Sequence, residues 1–305
     1  MNTQAILDLY LEEFVRSGRK LNRRDIELQR YLKFCLQQHE GRVDYISAQR
    51  WLDHRSTSLN PQSLATVQNR MSRFTDWARL LDKSIGPIPR ARRVRQDRRT
   101  PIIVNKRQVA KFIGKQRALP SRKGINPKTF ATITGLLYTT GLRVGEVLNL
   151  KLHDLDIHKR CLYVPGGKGI ADRTVWFSSN TQSVLKNYLD WRRSFNRTSD
   201  RFFIYDKVDA KGPYALYSNN FREVAINAKL RSPKKGRHRS NFTTHDLRHS
   251  YTVAALIEIY RSDLNIHESV IELSANLGHE STKETYWYVE VVPELAAAAA
   301  VRMMK

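Results

Sequence analysis

The stretch GPIPRARRVRQDRRTP, residues 86–101, limits most sharply what this chain can fold into. Gly86, Pro87, Pro89 and Pro101 bracket it, and no apolar periodicity survives inside it. Proline fixes φ and removes a backbone donor, so neither a regular helix nor a central strand runs through such a segment. The chain must therefore build separate bodies on either side, and 305 residues with 41% hydrophobic content suffice for two cores. The same stretch carries Arg90, Arg92, Arg93, Arg95, Arg98 and Arg99. Flexible linkers are usually rich in Gly and Ser or mixed in charge. A run this dense in arginine suits a strap along phosphates, with a plain linker as the alternative.

The formal net charge is +24 and the isoelectric point is near 10.3. Such an excess speaks of partners rather than fold. Nucleic acid is the first reading and an anionic membrane surface the second. No apolar run approaches the length of a membrane span, and the N-terminus, MNTQAILDLYLEEF, carries acids early without a signal-peptide pattern. A cytoplasmic, nucleoid-associated protein without membrane contact is expected. Cys35 and Cys161 lie far apart in apolar-patterned segments and read as reduced core residues. There is no Cys-x-x-Cys pair, so no zinc site of that kind is expected.

Residues 4–85 read as helical. Ile6, Leu9, Tyr10 and Phe14 recur at helix spacing, as do Leu28, Tyr31, Leu32 and Cys35. Asn60–Pro61 starts a further helix, with Asn as cap and Pro in the first turn. Leu64, Val67, Met71, Phe74 and Leu81 line one face of it. Arg70, Arg73 and Arg79 on that helix fit either a solvated face or DNA contact. Beyond Ile102, residues 126–138 and 143–150 are helical around a break at Gly141. Residues 161–164 and 173–177 form a hairpin across Gly166-Gly167-Lys168-Gly169. Further helical patterns cover 181–191, a segment from Thr244, 267–277 and 282–289, and Ala296–Ala300 makes a short helix. A second basic loop, SPKKGRHRS, holds Lys234, Lys235, Arg237 and Arg239, a further candidate DNA contact.

Four separated signals carry chemistry. In TGLRVGEVLNLKLHDLD, Arg143 follows a glycine break and Glu146 lies three residues on, which alone is a common surface pair. Lys168 sits at the hairpin tip. In THDLRHS, His245 and Arg248 are one turn apart and face one point. His245 and His249 have the spacing of a zinc pair, but Asp246 stands where the metalloprotease motif has glutamate, which argues against metal. In LGHESTKETYWYVEV, His279 precedes Tyr286 and Tyr288. Residues two apart on a helix point about 200° apart, so both tyrosines cannot face one pocket. The set is arginines, histidines, a lysine and a tyrosine, with no acid cluster for Mg²⁺. Arginines fork onto phosphate oxygens, and neighbouring cations make a tyrosine hydroxyl a competent nucleophile. The set fits attack on a phosphodiester by tyrosine without metal or other cofactor.

On these motifs the sequence resembles the tyrosine recombinases (the phage integrase family), and it is similar to short, Xer-like or transposon-encoded members over nearly the whole chain. Thr140–Asp156 resembles the first arginine box, with Arg143 as catalytic arginine and Glu146 as supporting acid. PGGKGIADRTV resembles the family β-hairpin, with Lys168 as catalytic lysine. THDLRHSYTVAAL resembles the second box, giving His245 and Arg248, with Thr244 where relatives often carry proline. LGH supplies His279, and the family's nucleophile lies nine residues beyond it, at Tyr288. The resemblance implies a mainly α fold. An N-terminal helical bundle (a SAM-like core-binding domain, 1–88) and a basic linker (89–100) precede a mostly α catalytic domain with a small β-hairpin (101–305), which ends in a tail helix expected to dock on a neighbouring subunit. It implies a site-specific recombinase that forms a 3′-phosphotyrosine and exchanges strands through a Holliday junction. The implied partners are double-stranded DNA, a homotetramer and accessory DNA-bending proteins. A type IB topoisomerase and a non-catalytic DNA-binding protein are the alternatives.

Overall fold

Capping chemistry sets where the helices begin. Asn60 accepts from the Ser63 N–H and Pro61 fills the first turn, which starts one helix; Asn126 and Pro127 start another in the same way. The structure is a computed structural model describing residues 3–17, 23–38, 41–92, 99–118, 125–166, 171–195, 199–205, 212–231 and 242–303. Lys168, Arg93, Arg95, Arg98, Lys234, Lys235, Arg237 and Arg239 lie outside the described residues. The chain divides into two compact units, Met1–Arg99 and Thr100–Lys305.

The first unit holds α1 (Thr3–Arg16), α2 (Arg23–Gln38), α3 (Tyr45–Ser56) and α4 (Pro61–Ala78). Leu28, Tyr31, Leu32 and Cys35 of α2 meet Val67, Met71 and Phe74 of α4 in one core, joined by Ile6 and Trp51. Two details differ from the sequence expectation. Helix α4 stops at Ala78, so Leu81 lies past its end and is 49% exposed instead of lining the buried face. Leu9 is likewise 42% exposed. Arg70 pairs with buried Asp25, which commits it to the fold, whereas Arg73 and Arg79 are exposed. The start of the proline–arginine stretch is laid on this unit. Ile88 is buried with its N–H on Thr75 Oγ1, Gln68 donates to the Pro89 carbonyl, and the Ala91 N–H donates to Asn69. Arg90 and Arg92 stay exposed there.

The second unit contains α5 (Lys106–Arg117), α6 (Pro127–Thr140), α7 (Val144–Leu148), a 3-10 turn (Leu152–Asp154), β1 (Leu155–Asp156), β2 (Cys161–Val164), β3 (Arg173–Trp176), α8 (Ser179–Arg193), α9 (Gly212–Asn227), α10 (Thr244–Arg261), α11 (Ile266–Leu277), α12 (Lys283–Val291) and α13 (Pro293–Met303). The sheet is antiparallel in the order β1-β2-β3, and the expected hairpin pairs Cys161 with Trp176 and Val164 with Arg173. The fold is thus mainly α with one small sheet. One core gathers α5–α9 and the sheet around Phe112, Phe130, Tyr188 and Phe221; another joins α10–α13 around Leu256, Leu273, Tyr288 and Leu295. The tail helix α13 packs on α10 of its own chain, burying Leu295 and Ala299. Both cysteines are buried thiols. Among the described residues no helix is long and apolar enough to cross a membrane.

Candidate active site

The site is organised by the end of α11. The last carbonyls of a helix lack intrahelical donors and carry the negative end of its dipole. Three successive carbonyls here each take one arginine. Asn276 O accepts from Arg173 Nε at 2.9 Å, Leu277 O from Arg248 Nη2 at 2.7 Å, and Gly278 O from Arg143 Nη2 at 2.7 Å. The second Arg248 bond goes to the carbonyl of Gly141, the residue capping α6, at 2.8 Å. Both capping glycines have a φ of +66°, a region that L side chains rarely adopt. At Gly141 a Cβ would also collide with Tyr251 and Leu277.

One carboxylate ties two of these arginines together. Glu146 accepts from the Arg143 backbone N–H at 2.8 Å, from Arg143 Nη1 at 3.2 Å and from Arg173 Nη2 at 2.8 Å. Burial works against its charge. The Arg173 hydrogen bond, the Arg143 N–H and the two guanidinium charges outweigh burial and hold the carboxyl below its ordinary range. Arg248 is buried, and burial followed by the nearby Arg143 charge pushes it down to about 10, so it stays cationic at neutral pH. Three guanidiniums face one carboxylate, and most of their bonds go to neutral carbonyls. The cluster therefore keeps a net positive field, and Arg143 remains 36% exposed to present it.

His279 follows Gly278 directly. Its Nδ1 lies 2.8 Å from Thr285 Oγ1 and its Nε2 lies 3.9 Å from Glu284 Oε2. Burial first, then Arg248, Arg143, His245 and His249, push it down to about 3, so it is neutral in the free protein. Helix α12 carries the tyrosines. Tyr288 is buried, yet its hydroxyl lies 2.5 Å from His249 Nδ1, close enough to Arg248 to influence that group's titration. Tyr286, two residues earlier, is partly exposed and packs at the edge of the α10–α13 core. His245 is exposed one turn before Arg248, its ring edge-on to His249 at 4.4 Å between centroids. Among the described residues no group of three or more His, Cys, Asp or Glu could hold a metal ion.

The phage integrase family profile matches residues 106–294. The chain belongs to the phage integrase family. Relatives of this tyrosine recombinase include XerD of Ralstonia nicotianae, 28% identical over 76% of this chain and 71% of that protein. XerA of Pyrococcus furiosus is 31% identical over 55% of this chain and 52% of that one. Among solved structures, the Tn1549 transposon integrase with circular intermediate DNA has a TM-score of 0.64 at 15% identity, covering 98% of this chain and 99% of that one. XerH bound to difH has a TM-score of 0.61 at 19% identity, covering 93% and 78%. At these identities the structural matches speak for the fold.

In this recombinase the α11 terminus gathers Arg143, Glu146, Arg248 and His279, which lie up to 136 positions apart in sequence. Tyr288 and His245 join them through His249. Three participants escaped the sequence reading. In sequence His249 stands out only as half of a zinc-spaced pair. In sequence Arg173 is simply the start of a strand, yet its side chain is only 9% exposed. Thr285 carried no signal, since a threonine six residues from a histidine is unremarkable until a helix turns it inward.

Proposed function

We propose that this chain is a site-specific DNA recombinase in which Tyr288 attacks a scissile phosphate. The observation carrying this reading is the Tyr288 hydroxyl held on His249 beside Arg248, next to the arginine cluster of the α11 terminus. The Tyr288 oxygen bonds to phosphorus as the bond to the 5′ oxygen breaks, leaving a 3′-phosphotyrosine and a 5′-hydroxyl. Arg143 and Arg248 fork onto the non-bridging oxygens and stabilise the charge of the pentacoordinate transition state. His279 adds a third contact. His249 takes the phenolic proton, Lys168 supplies a proton to the leaving oxygen, and His245 assists proton movement. The phosphotyrosine conserves the bond energy, so neither ATP nor metal is needed. A partner strand's 5′-hydroxyl then attacks, and strands exchange through a Holliday junction in a tetramer, with accessory DNA-bending proteins at some sites.

Residues 1–88 serve as the core-binding domain and 101–305 as the catalytic domain, each gripping the duplex, with the basic stretch 89–100 along phosphates. This assignment is supported by the exposure of Arg90, Arg92 and Arg99. The test uses nicked suicide duplexes tiled over the DNA flanking the gene. Wild type and Tyr286→Phe form a covalent protein–DNA adduct and Tyr288→Phe forms none. An adduct that survives in Tyr288→Phe but disappears in Tyr286→Phe would move the nucleophile and overturn the assignment.

A further inference from the structure

Behind His279 runs a line of buried hydroxyls ending on a carbonyl that can only accept. Ser274 Oγ lies 2.7 Å from the Val270 carbonyl and donates its one proton there. Thr285 Oγ1 lies 2.7 Å from Ser274 Oγ, and with the serine proton spent, the threonine must donate. Thr285 then has no proton left for His279 Nδ1 at 2.8 Å, so that nitrogen carries the hydrogen. The opposite order would press the lone pairs of Ser274 Oγ and Val270 O together at 2.7 Å with no proton between them. Ser274 and Thr285 are 4% and 0% exposed, and the His279 side chain is 6% exposed, so bulk water does not reverse the order.

We infer that Ser274 and Thr285 are positioning residues that fix neutral His279 with its hydrogen on Nδ1, leaving Nε2 as an acceptor, so that His279 must take up a proton from solvent before it can donate to a phosphate. The non-bridging oxygens of a phosphodiester offer only lone pairs, so an unprotonated Nε2 is repelled by them. Burial opposes the proton first, and the groups facing His279 set the rest of the balance. Arg248, His245 and His249 on α10 and Arg143 before α7 oppose the proton, and Glu284 on α12 favours it. An arriving phosphate adds negative charge where the cations stand and tips the balance towards imidazolium. The uptake step rests on the phosphate pocket proposed above; the tautomer does not.

The test reads the two nitrogens directly in the full chain labelled with ¹⁵N-histidine, by long-range ¹H–¹⁵N correlation, with His279→Gln to assign the signals. The expected pattern at pH 7 is neutral His279 protonated at Nδ1. Ser274→Ala frees the Thr285 proton for Nδ1 and moves the imidazole hydrogen to Nε2, whereas Thr285→Ser keeps the wild-type pattern. Titrated dimethyl phosphate, a diester anion with no hydroxyl to donate, converts wild-type His279 to the doubly protonated form. Hydrogen on Nε2 in the free wild type, or an unchanged pattern in Ser274→Ala, overturns the tautomer. Phosphate that perturbs His245 or His249 while His279 stays neutral overturns proton uptake. Phosphate that moves no histidine signal overturns uptake and the phosphate pocket together, with the tautomer already decided on the free protein.

Discussion

His279 is kept neutral first by burial and then by Arg248 and Arg143, and that has a thermodynamic consequence. Its folded value of about 3 lies below the ordinary histidine value near 6.5. Between those two values the unfolded chain binds a proton that the folded chain does not. Folding stability therefore falls as pH drops below about 6.5 and stops falling on this account near the folded value. At one pKa unit per ~1.4 kcal/mol, the loss between pH 7 and pH 5 from this residue is about 2 kcal/mol. His279→Gln removes the term, so urea unfolding should show the variant losing about 2 kcal/mol less than wild type over that range. An equal loss in both proteins would mean that His279 protonates freely in the fold. Glu146 holds the cluster together, since it is the carboxylate that binds Arg143 to Arg173. Glu146→Gln keeps the shape but turns charge-assisted acceptors into a neutral amide, at a cost of about 2 kcal/mol in the same experiment. A change within a few tenths would show that the carbonyls alone hold the arginines.

The last turn of α11 does more for this site than any single side chain. It lends one carbonyl to each of three arginines, and it does so because Gly278 turns the chain through a positive φ. Gly278→Ala would strain that turn by about 1–2 kcal/mol. Its Cβ would also stand 3.1 Å from the Arg173 guanidinium and 3.3 Å from Arg143 Nη1. On the proposed mechanism the expected result is a modestly lower melting temperature with a much larger loss of covalent adduct, since displaced guanidiniums would no longer meet the phosphate. A melting loss with full adduct formation would show that the turn is only structural. The sequence made part of this visible. The Asn-Pro start of α4 and the two strands around the glycine run were legible because caps and turns have local signatures. Arg143, Glu146, Arg248, His279 and Tyr288 were legible as residue types in family spacing. The carbonyl cradle was not, because a backbone acceptor carries no residue signature. Helices α5 and α9 were not separated out either. Helix α5 buries only Val109, Phe112 and Gln116, and Gln116 is held by Thr134 from α6, a contact that no local pattern announces. In α9 the apolar positions are interleaved with Tyr, Ser and Asn of poor helix propensity, so packing of Tyr217 and Phe221 decides.

Across the whole chain the net charge of +24 is far larger than the site requires, since the cluster around α11 accounts for only a few of the 53 Lys and Arg residues. Such an excess suits a sequence-independent grip on a phosphate backbone, which releases counterions and so weakens steeply with salt. Arg90, Arg92 and Arg99 are exposed in the stretch that the proposed assignment lays along the duplex. The Arg90 contact with Asp76, 3.8 Å between two exposed side chains, is too weak to withhold it from phosphate. Each phosphate neutralised on B-DNA contributes about 0.9 to the slope of log affinity against log salt. Replacing all three arginines with Gln should therefore flatten that slope by about 2–3 in a fluorescence-anisotropy titration over a salt series. The loss should be the same for duplexes of unrelated sequence, because phosphate contacts position a protein without reading bases. A slope unchanged by the triple replacement would detach residues 89–100 from the DNA and leave the charge to other faces of the molecule. A slope that flattens on one sequence alone would instead make these arginines base readers.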